Sequence, residues 1–254
     1  MCQLLGMNSN QPASLAFSLE GFVRRGGQTD EHRDGWGIAF FEGRQCRVLR
    51  DEQPSCQSQL ADRMRRHPVK SRTVIAHIRK ATQGQVGLSN CHPFSRRLWG
   101  RNWVFAHNGD LKQFAPRLNG RYLPQGTTDS ELAFCYLLQE LQRRCGTTPP
   151  VLARLLAEIA QLSSELSRHG PFNYLLSDGV NLFAHCSTLL HHVARAHPFR
   201  AVRLLDHDLG VDLGQLNRVD ERMTVITTRP LTSGEEWIAF RPGELKHFRD
   251  GIEA

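Results

Sequence analysis

Cys2 is the residue from which a chemical reading of this 254-residue chain starts. A cysteine thiol has a pKa of ~8.5 and a free α-amino group ~7.7 to 8.0, so a cysteine at the first position of a mature chain carries its own base near working pH. Removal of Met1 would create that pairing, which N-terminal nucleophiles exploit. Position 2 alone decides nothing, because any protein can carry a cysteine there. Four later segments offer it company. The run Thr73 to Ile78 ends at Arg79, Lys80, Ala81 and Thr82, where an arginine can hold a substrate carboxylate through a bidentate pair or form a surface salt bridge. Asn90-Cys91-His92-Pro93-Phe94 is a polar turn before proline. Trp103 to Ala106 leads into His107-Asn108-Gly109-Asp110, where an Asn amide and the next N–H can converge as an oxyanion hole or make a plain Asn-Gly turn. Asp129 can bind a substrate ammonium or serve as a first-turn acid favoured by the helix dipole.

These residues need elements to hold them. The first half reads as short strands between polar loops: Leu4 to Met7, a hairpin of Trp36 to Phe41 and Gln45 to Leu49 turning at Gly43, then Thr73 to Ile78 and Trp103 to His107. The middle reads as helical. Thr128-Asp129-Ser130-Glu131 matches a capping box, Leu132, Tyr136, Leu137 and Leu141 continue it on one face, and Gly146 stops it. A second helix is expected from Pro149-Pro150, with Leu152, Leu155, Leu156, Ile159, Leu162 and Leu166 facing the first. Strands return after Gly170-Pro171, with an Asp178-Gly179 hairpin turn, then Met223 to Thr227, Trp237 to Phe240 and Leu245 to Phe248. Strands, helices and strands again imply an α+β fold of antiparallel sheets covered by helices, in one domain over residues 1–254. The stretch 187–222, rich in His, Arg and Leu, reads as a loop over the site or an interface.

Composition narrows the function classes. No apolar run approaches the ~18 to 20 residues that cross a bilayer, and the first eight residues lack a basic and apolar leader, so a soluble cytoplasmic protein is expected. Seven cysteines form no CxxC pair and leave an odd count, which suits a reducing compartment. The net charge of +7 raises nucleic acid as a partner, but the basic residues are scattered in pairs such as Arg24-Arg25 and Arg143-Arg144, without a run or interleaved aromatics. Neither nucleic acid nor membrane is expected. His185, His191, His192 and His197 lie close in sequence, yet their spacing matches no metal-site pattern, and no metal is expected.

Together, Cys2, Asp-Gly-Trp-Gly (34–37), His-x-Arg-x-Ala-Thr (77–82), Asn-x-His-Pro (90–93), His-Asn-Gly (107–109) and Thr-Asp-Ser-Glu (128–131) resemble the class II glutamine amidotransferases in order and spacing. The lack of a synthase domain resembles their small stand-alone, YafJ-like branch. The resemblance implies the N-terminal-nucleophile hydrolase fold, a four-layer αββα sandwich of two mainly antiparallel sheets between helical layers. It implies Cys2 as nucleophile, Arg79 on the glutamine α-carboxylate, Asp129 on its α-ammonium, Asn108 and Gly109 as oxyanion hole, and Thr82 and His92 as supporting groups. Lys80 stands where fused members often carry an aromatic residue, and Gln83 where some carry histidine. The implied reaction is attack of Cys2 on the γ-glutamyl amide of glutamine, releasing ammonia and then glutamate through a thioester, with no cofactor. The partner is glutamine or another γ-glutamyl compound, and ammonia could pass to a separate synthase subunit; a homo-oligomer is compatible with this. Two rivals remain open: a γ-glutamyl hydrolase acting on a glutathione-like compound, and a non-catalytic glutamine-binding protein.

Overall fold

In a computed structural model the chain is described at residues 2–43 and 45–254. Its elements run β1 (Gln3–Ser14), α1 (Ala16–Arg24), β2 (Trp36–Glu42), β3 (Gln45–Asp51), α2 (Gln59–Arg66), β4 (Lys70–Ile78), β5 (Phe94–Leu98) and β6 (Arg101–Gly109). There follow α3 (Asp129–Cys145), α4 (Leu152–Ser167), β7 (Phe172–Ser177), β8 (Leu182–Cys186), β9 (His191–Ala196), β10 (Ala201–Leu204), β11 (Gly210–Asp212) and α5 (Leu213–Leu216). The chain closes with β12 (Arg222–Thr227), β13 (Thr232–Ser233), β14 (Ile238–Ala239), β15 (Glu244–Arg249) and β16 (Ile252–Glu253).

Two antiparallel sheets stack face to face. One is seven-stranded in the order β14-β9-β12-β1-β4-β2-β3, the other six-stranded in the order β16-β15-β8-β7-β6-β5, and β11-β10-β13 form a small third sheet. Alternation along each strand builds three apolar layers. On β1, Leu4 packs between the sheets with Ile75, Val104, Ala106 and Ile226, while Leu5 and Met7 face Leu19, Phe22 and Met64 of α1 and α2. Gly6 also faces inward, where a Cβ would come within 2.9 Å of Leu175. On β6, Val104 and Ala106 face the first sheet while Trp103 and Phe105 face α3 and α4. The result is the αββα sandwich.

Three local readings change. The first half is more than strands and loops: α1 and α2 cover the outer face of the seven-stranded sheet. The helix α1 is short and ends at Arg24, before Arg25-Gly26-Gly27, so its helical period is brief. The helix α4 starts at Leu152 rather than at Pro149-Pro150, with Val151 extended at φ −60°, ψ 148° as its N-cap. A residue preceding proline is pushed away from helical ψ, which holds Pro149 out of the helix and delays its start. At α3 only half of the capping box forms. Thr128 accepts from Glu131 N at 3.2 Å, but the Glu131 carboxylate accepts from Gln125 N and Gly126 N at 3.0 and 2.7 Å and pairs with Arg96 at 2.6 Å. It ties the approach loop to β5 instead of closing on its own cap.

Among the described residues, no helix is long and apolar enough to cross a membrane. The four neighbouring histidines diverge: His185 packs on Tyr174 and Phe172, whereas His192 packs on Phe240 and Phe248.

Candidate active site

Strand register brings one end of both sheets to Cys2. β1 pairs Gln3 with Ile78 of β4 and Leu5 with Thr227 of β12, so Cys2 lies beside Arg79 as it leaves β4, and Leu4 beside Thr228 as it leaves β12. Period-two alternation turns Cys2 to the same side as Leu4, facing the end of β6. There Asn108 Nδ2 donates to the Cys2 carbonyl at 2.7 Å. Thr228 Oγ1 accepts from Leu4 N at 2.9 Å and fastens the third strand to the same corner. Cys2 is 8% exposed, and its sulfur sits against the main chain of Lys80, whose N–H donates to Sγ at 3.2 Å and whose carbonyl accepts from Sγ at 3.3 Å. Burial pushes the Cys2 thiol up from its ordinary range, with the Lys80 hydrogen bond opposing that shift.

Arg79 is buried and its guanidinium donates to the carbonyls of Gln85 (3.0 Å), Gln83 (2.9 Å) and Gly84 (3.2 Å). It therefore shapes the turn after β4. Asn90 holds that turn from the far side, donating to Gln85 O at 2.9 Å and accepting from Thr127 N at 2.8 Å. Asp129, at the start of α3, accepts from Leu111 N at 2.8 Å. Gln83 donates to Leu111 O at 3.3 Å and to the Asp110 carboxylate. A cleft of about 400 Å³ opens beside these groups, lined by Gln83, Gly126, Thr128, Asp129, Lys112 and Phe114. Thr82 lies exposed on the turn.

His92 sits deeper. Its ring lies 4.1 Å from that of His77 and 4.4 Å from Phe94, and the His92 nitrogens have no hydrogen-bond partner among the described residues. Burial drives His77 down to about 3 and His92 well below its ordinary value, so both are neutral. His107 is also lowered by burial, opposed by Asp129, and its Nδ1 lies 2.8 Å from Ser130 Oγ.

The motif glycines leave no room for a side chain. A Cβ on Gly37 would lie 2.4 Å from His92 O, one on Gly35 (φ +99°) 2.5 Å from Cys91 Sγ, and one on Gly109 1.7 Å from Pro171 O. Asp34 completes the junction by accepting from Ala81 N at 2.7 Å.

Comparison with known proteins decides what this corner belongs to. The family model for class II glutamine amidotransferases matches residues 1–254. The chain belongs to that family. YafJ of Escherichia coli K12 is 48% identical over 248 residues, covering 98% of this chain and 97% of that protein. A Haemophilus influenzae glutamine amidotransferase relative is 46% identical over 252 residues, covering 99% and 85%. Among solved structures, a Pseudomonas aeruginosa protein described as a glutamine amidotransferase aligns at TM-score 0.79 and 43% identity over 99% of both chains. The glutamine phosphoribosylpyrophosphate amidotransferase of Bacillus subtilis shares the fold at TM-score 0.60 and 15% identity, and this chain spans 48% of it.

In this member of the family the motif residues gather at one end of the sandwich, although not all touch the cleft. Cys2, Arg79, Asn108, Gly109 and Asp129 surround the corner, Thr82 edges it, and His92 lies behind it. Sequence reasoning passed over Asn173, whose amide donates to Asn108 O at 2.9 Å and accepts from Ser187 N and Thr188 N at 2.9 Å each. It also passed over Thr228 and over Arg25, which donates to Asp206 at 2.8 Å and to Arg229 O at 2.9 Å. The stretch 187–222 thus forms β9, β10, β11 and α5, and its first residues brace the Asn108 strand. Asp34 carries a signal through the Asp-Gly-Trp-Gly motif, whereas the contacts of Asn173 with Asn108, of Thr228 with Leu4 and of Arg25 with Asp206 and Arg229 each span 65 residues or more.

Proposed function

We propose that this protein is a glutamine amidotransferase-type hydrolase, acting as a single domain, whose nucleophile is Cys2 after removal of Met1. Met1 lies outside the described residues. The observation that carries the reading is the seating of the Cys2 sulfur against Lys80 N and O while Asn108 reaches the Cys2 carbonyl. A buried thiol pushed up in pKa is protonated at neutral pH, so it needs a base within reach. The α-amino group of mature Cys2 is that base.

The sulfur attacks the γ-carbonyl of glutamine and forms a C–S bond. Asn108 Nδ2 turns from the Cys2 carbonyl to the oxyanion, joined by Gly109 N–H. The C–N bond breaks, the ammonium at the N-terminus returns its proton to the departing nitrogen, and ammonia leaves. Water then hydrolyses the γ-glutamyl thioester to glutamate and regenerates the thiol. Arg79, released from one of its turn carbonyls, pairs with the α-carboxylate, and Asp129 takes the α-ammonium. Thr82 and His92 support this arrangement, the first from the turn and the second from beneath. Ammonia leaves to water or to a separate synthase subunit.

The test is an acid-quenched mass spectrum of the processed protein mixed with glutamine. A γ-glutamyl adduct mapping to Cys2 is expected during turnover; turnover with the adduct on another residue, or with none under conditions that preserve thioesters, would overturn the assignment.

A further inference from the structure

We propose that Lys80 and Glu31 form a subsite for leaving groups that carry a carboxylate, making γ-glutamyl amino acids and peptides, rather than free glutamine, the preferred substrates. This rests on the γ-glutamyl reading above and names the substrate class of that same site.

Direction carries the first step. Arg79 and Lys80 are successive residues leaving β4, and their side chains part. Arg79 turns with Ile75 and His77 toward the turn 83–85 and the Asp129 side. Lys80 turns the other way, to the segment between α1 and β2, where Nζ meets Glu31 Oε1 at 2.5 Å. The Lys80 main chain between them holds the nucleophilic sulfur. A γ-glutamyl carbonyl on that sulfur, with its α-end toward Arg79 and Asp129, directs its departing nitrogen toward the Lys80 side chain.

Charge carries the second step. The Lys80 ammonium is a mobile point charge on a flexible stem, 38% exposed at the side chain. Nearby Arg25 is committed to Asp206 and to the carbonyls of Arg229 and Pro230. Of the neighbouring acids, Asp34 accepts from Ala81 N, and Asp30 is held by Gln3 Nε2 at 3.2 Å and His32 at 3.1 Å. Glu31 is different: it is 76% exposed, and an exposed pair of this kind binds weakly. It occupies the position of a substrate carboxylate and yields to one. Ammonia, the leaving group of glutamine, offers Lys80 no charge; an amino acid or peptide does. The chemistry is unchanged otherwise: C–S forms, C–N breaks, and the thiol proton passes through the amine to the departing nitrogen, releasing a free amino acid or peptide.

The experiment measures kcat/KM for γ-glutamylglycine and for γ-glutamylmethylamide, which shares the secondary amide but lacks the carboxylate, with glutamine alongside. It uses the processed wild type, Lys80→Met and Glu31→Gln. The ratio of the first two substrates is internal to each variant, so loss of folded protein cancels. Wild type is expected to favour γ-glutamylglycine. Lys80→Met should lower the ratio about tenfold, the usual effect of losing one charge-assisted hydrogen bond. Glu31→Gln should raise it, by removing the competitor. An equal ratio in all three proteins, or a lower ratio in Glu31→Gln, overturns the subsite while turnover of the methylamide leaves the parent reading intact. No turnover of any of the three compounds by processed protein overturns both.

Discussion

Acidification should destabilise the fold through His77 and His92, and the size of the effect can be worked out. Both rings are buried and lie 4.1 Å apart. Burial lowers His77 to about 3, against an unfolded value of ~6.5. A folded pKa below the unfolded one means that the unfolded chain binds more protons as pH falls, so the stabilisation is complete above ~6.5 and is lost on the way down to about 3. Between pH 7 and pH 5 a histidine like His77 costs roughly 2 kcal/mol, and burial of His92 acts in the same direction. That is a sizeable part of a total of order 5–15 kcal/mol. Other groups titrate as well, so the assay is a comparison: urea midpoints at pH 7 and pH 5 for wild type and His77→Leu. Leucine removes the titrating ring and leaves an apolar side chain of similar size in its place. The variant should lose roughly 2 kcal/mol less than wild type over the interval. Equal losses in the two proteins would show that His77 is not the neutral buried group described here.

Three further outcomes follow from the site. Arg79→Lys should raise KM for glutamine at least about tenfold with a smaller change in kcat, because the forked donor is lost; steady-state kinetics check it, and an unchanged KM would place the carboxylate elsewhere. Gly109→Ala should cost roughly 1–3 kcal/mol by overpacking, since the new methyl meets Pro171 O at 1.7 Å, and it should lower activity by shifting Asn108; a wild-type denaturation midpoint would refute the contact. With Cys2 held as a thiol by burial, kcat/KM should rise with pH as the terminal ammonium deprotonates and level off above ~8; a flat profile from pH 6 to 9 would argue against the amine as base.

Much of this was legible in the sequence because the site is built from motifs that end strands. The hairpin β2–β3, the strands β4 and β6, the helix α3 with its Gly146 stop and the β7–β8 hairpin each carry local punctuation. Residues at their ends, Arg79, Asn108 and Asp129, therefore fall near their expected places. What was hidden depends on register or on buried polar contacts. β1 runs to Ser14 although only Leu4 to Met7 looks like a strand, because its polar half is paired to β4 past a register shift between Asn8 and Ala13. Asn173 and Thr228 act on Asn108 and Leu4 across separations of 65 and 224 residues, which no spacing rule reaches. The same holds for Arg79: its type marks it as an anion clamp, but the structure shows it holding its own turn through three carbonyls.

The central claim is that Cys2 performs the reaction. Protein whose intact mass shows loss of Met1 should be assayed for ammonia and glutamate from glutamine and for glutamate from γ-glutamylglycine, with Cys2→Ala prepared in parallel. The account predicts product in the wild type and none in Cys2→Ala, with the two proteins unfolding at similar midpoints. A folded Cys2→Ala protein that turns over at the wild-type rate would contradict it.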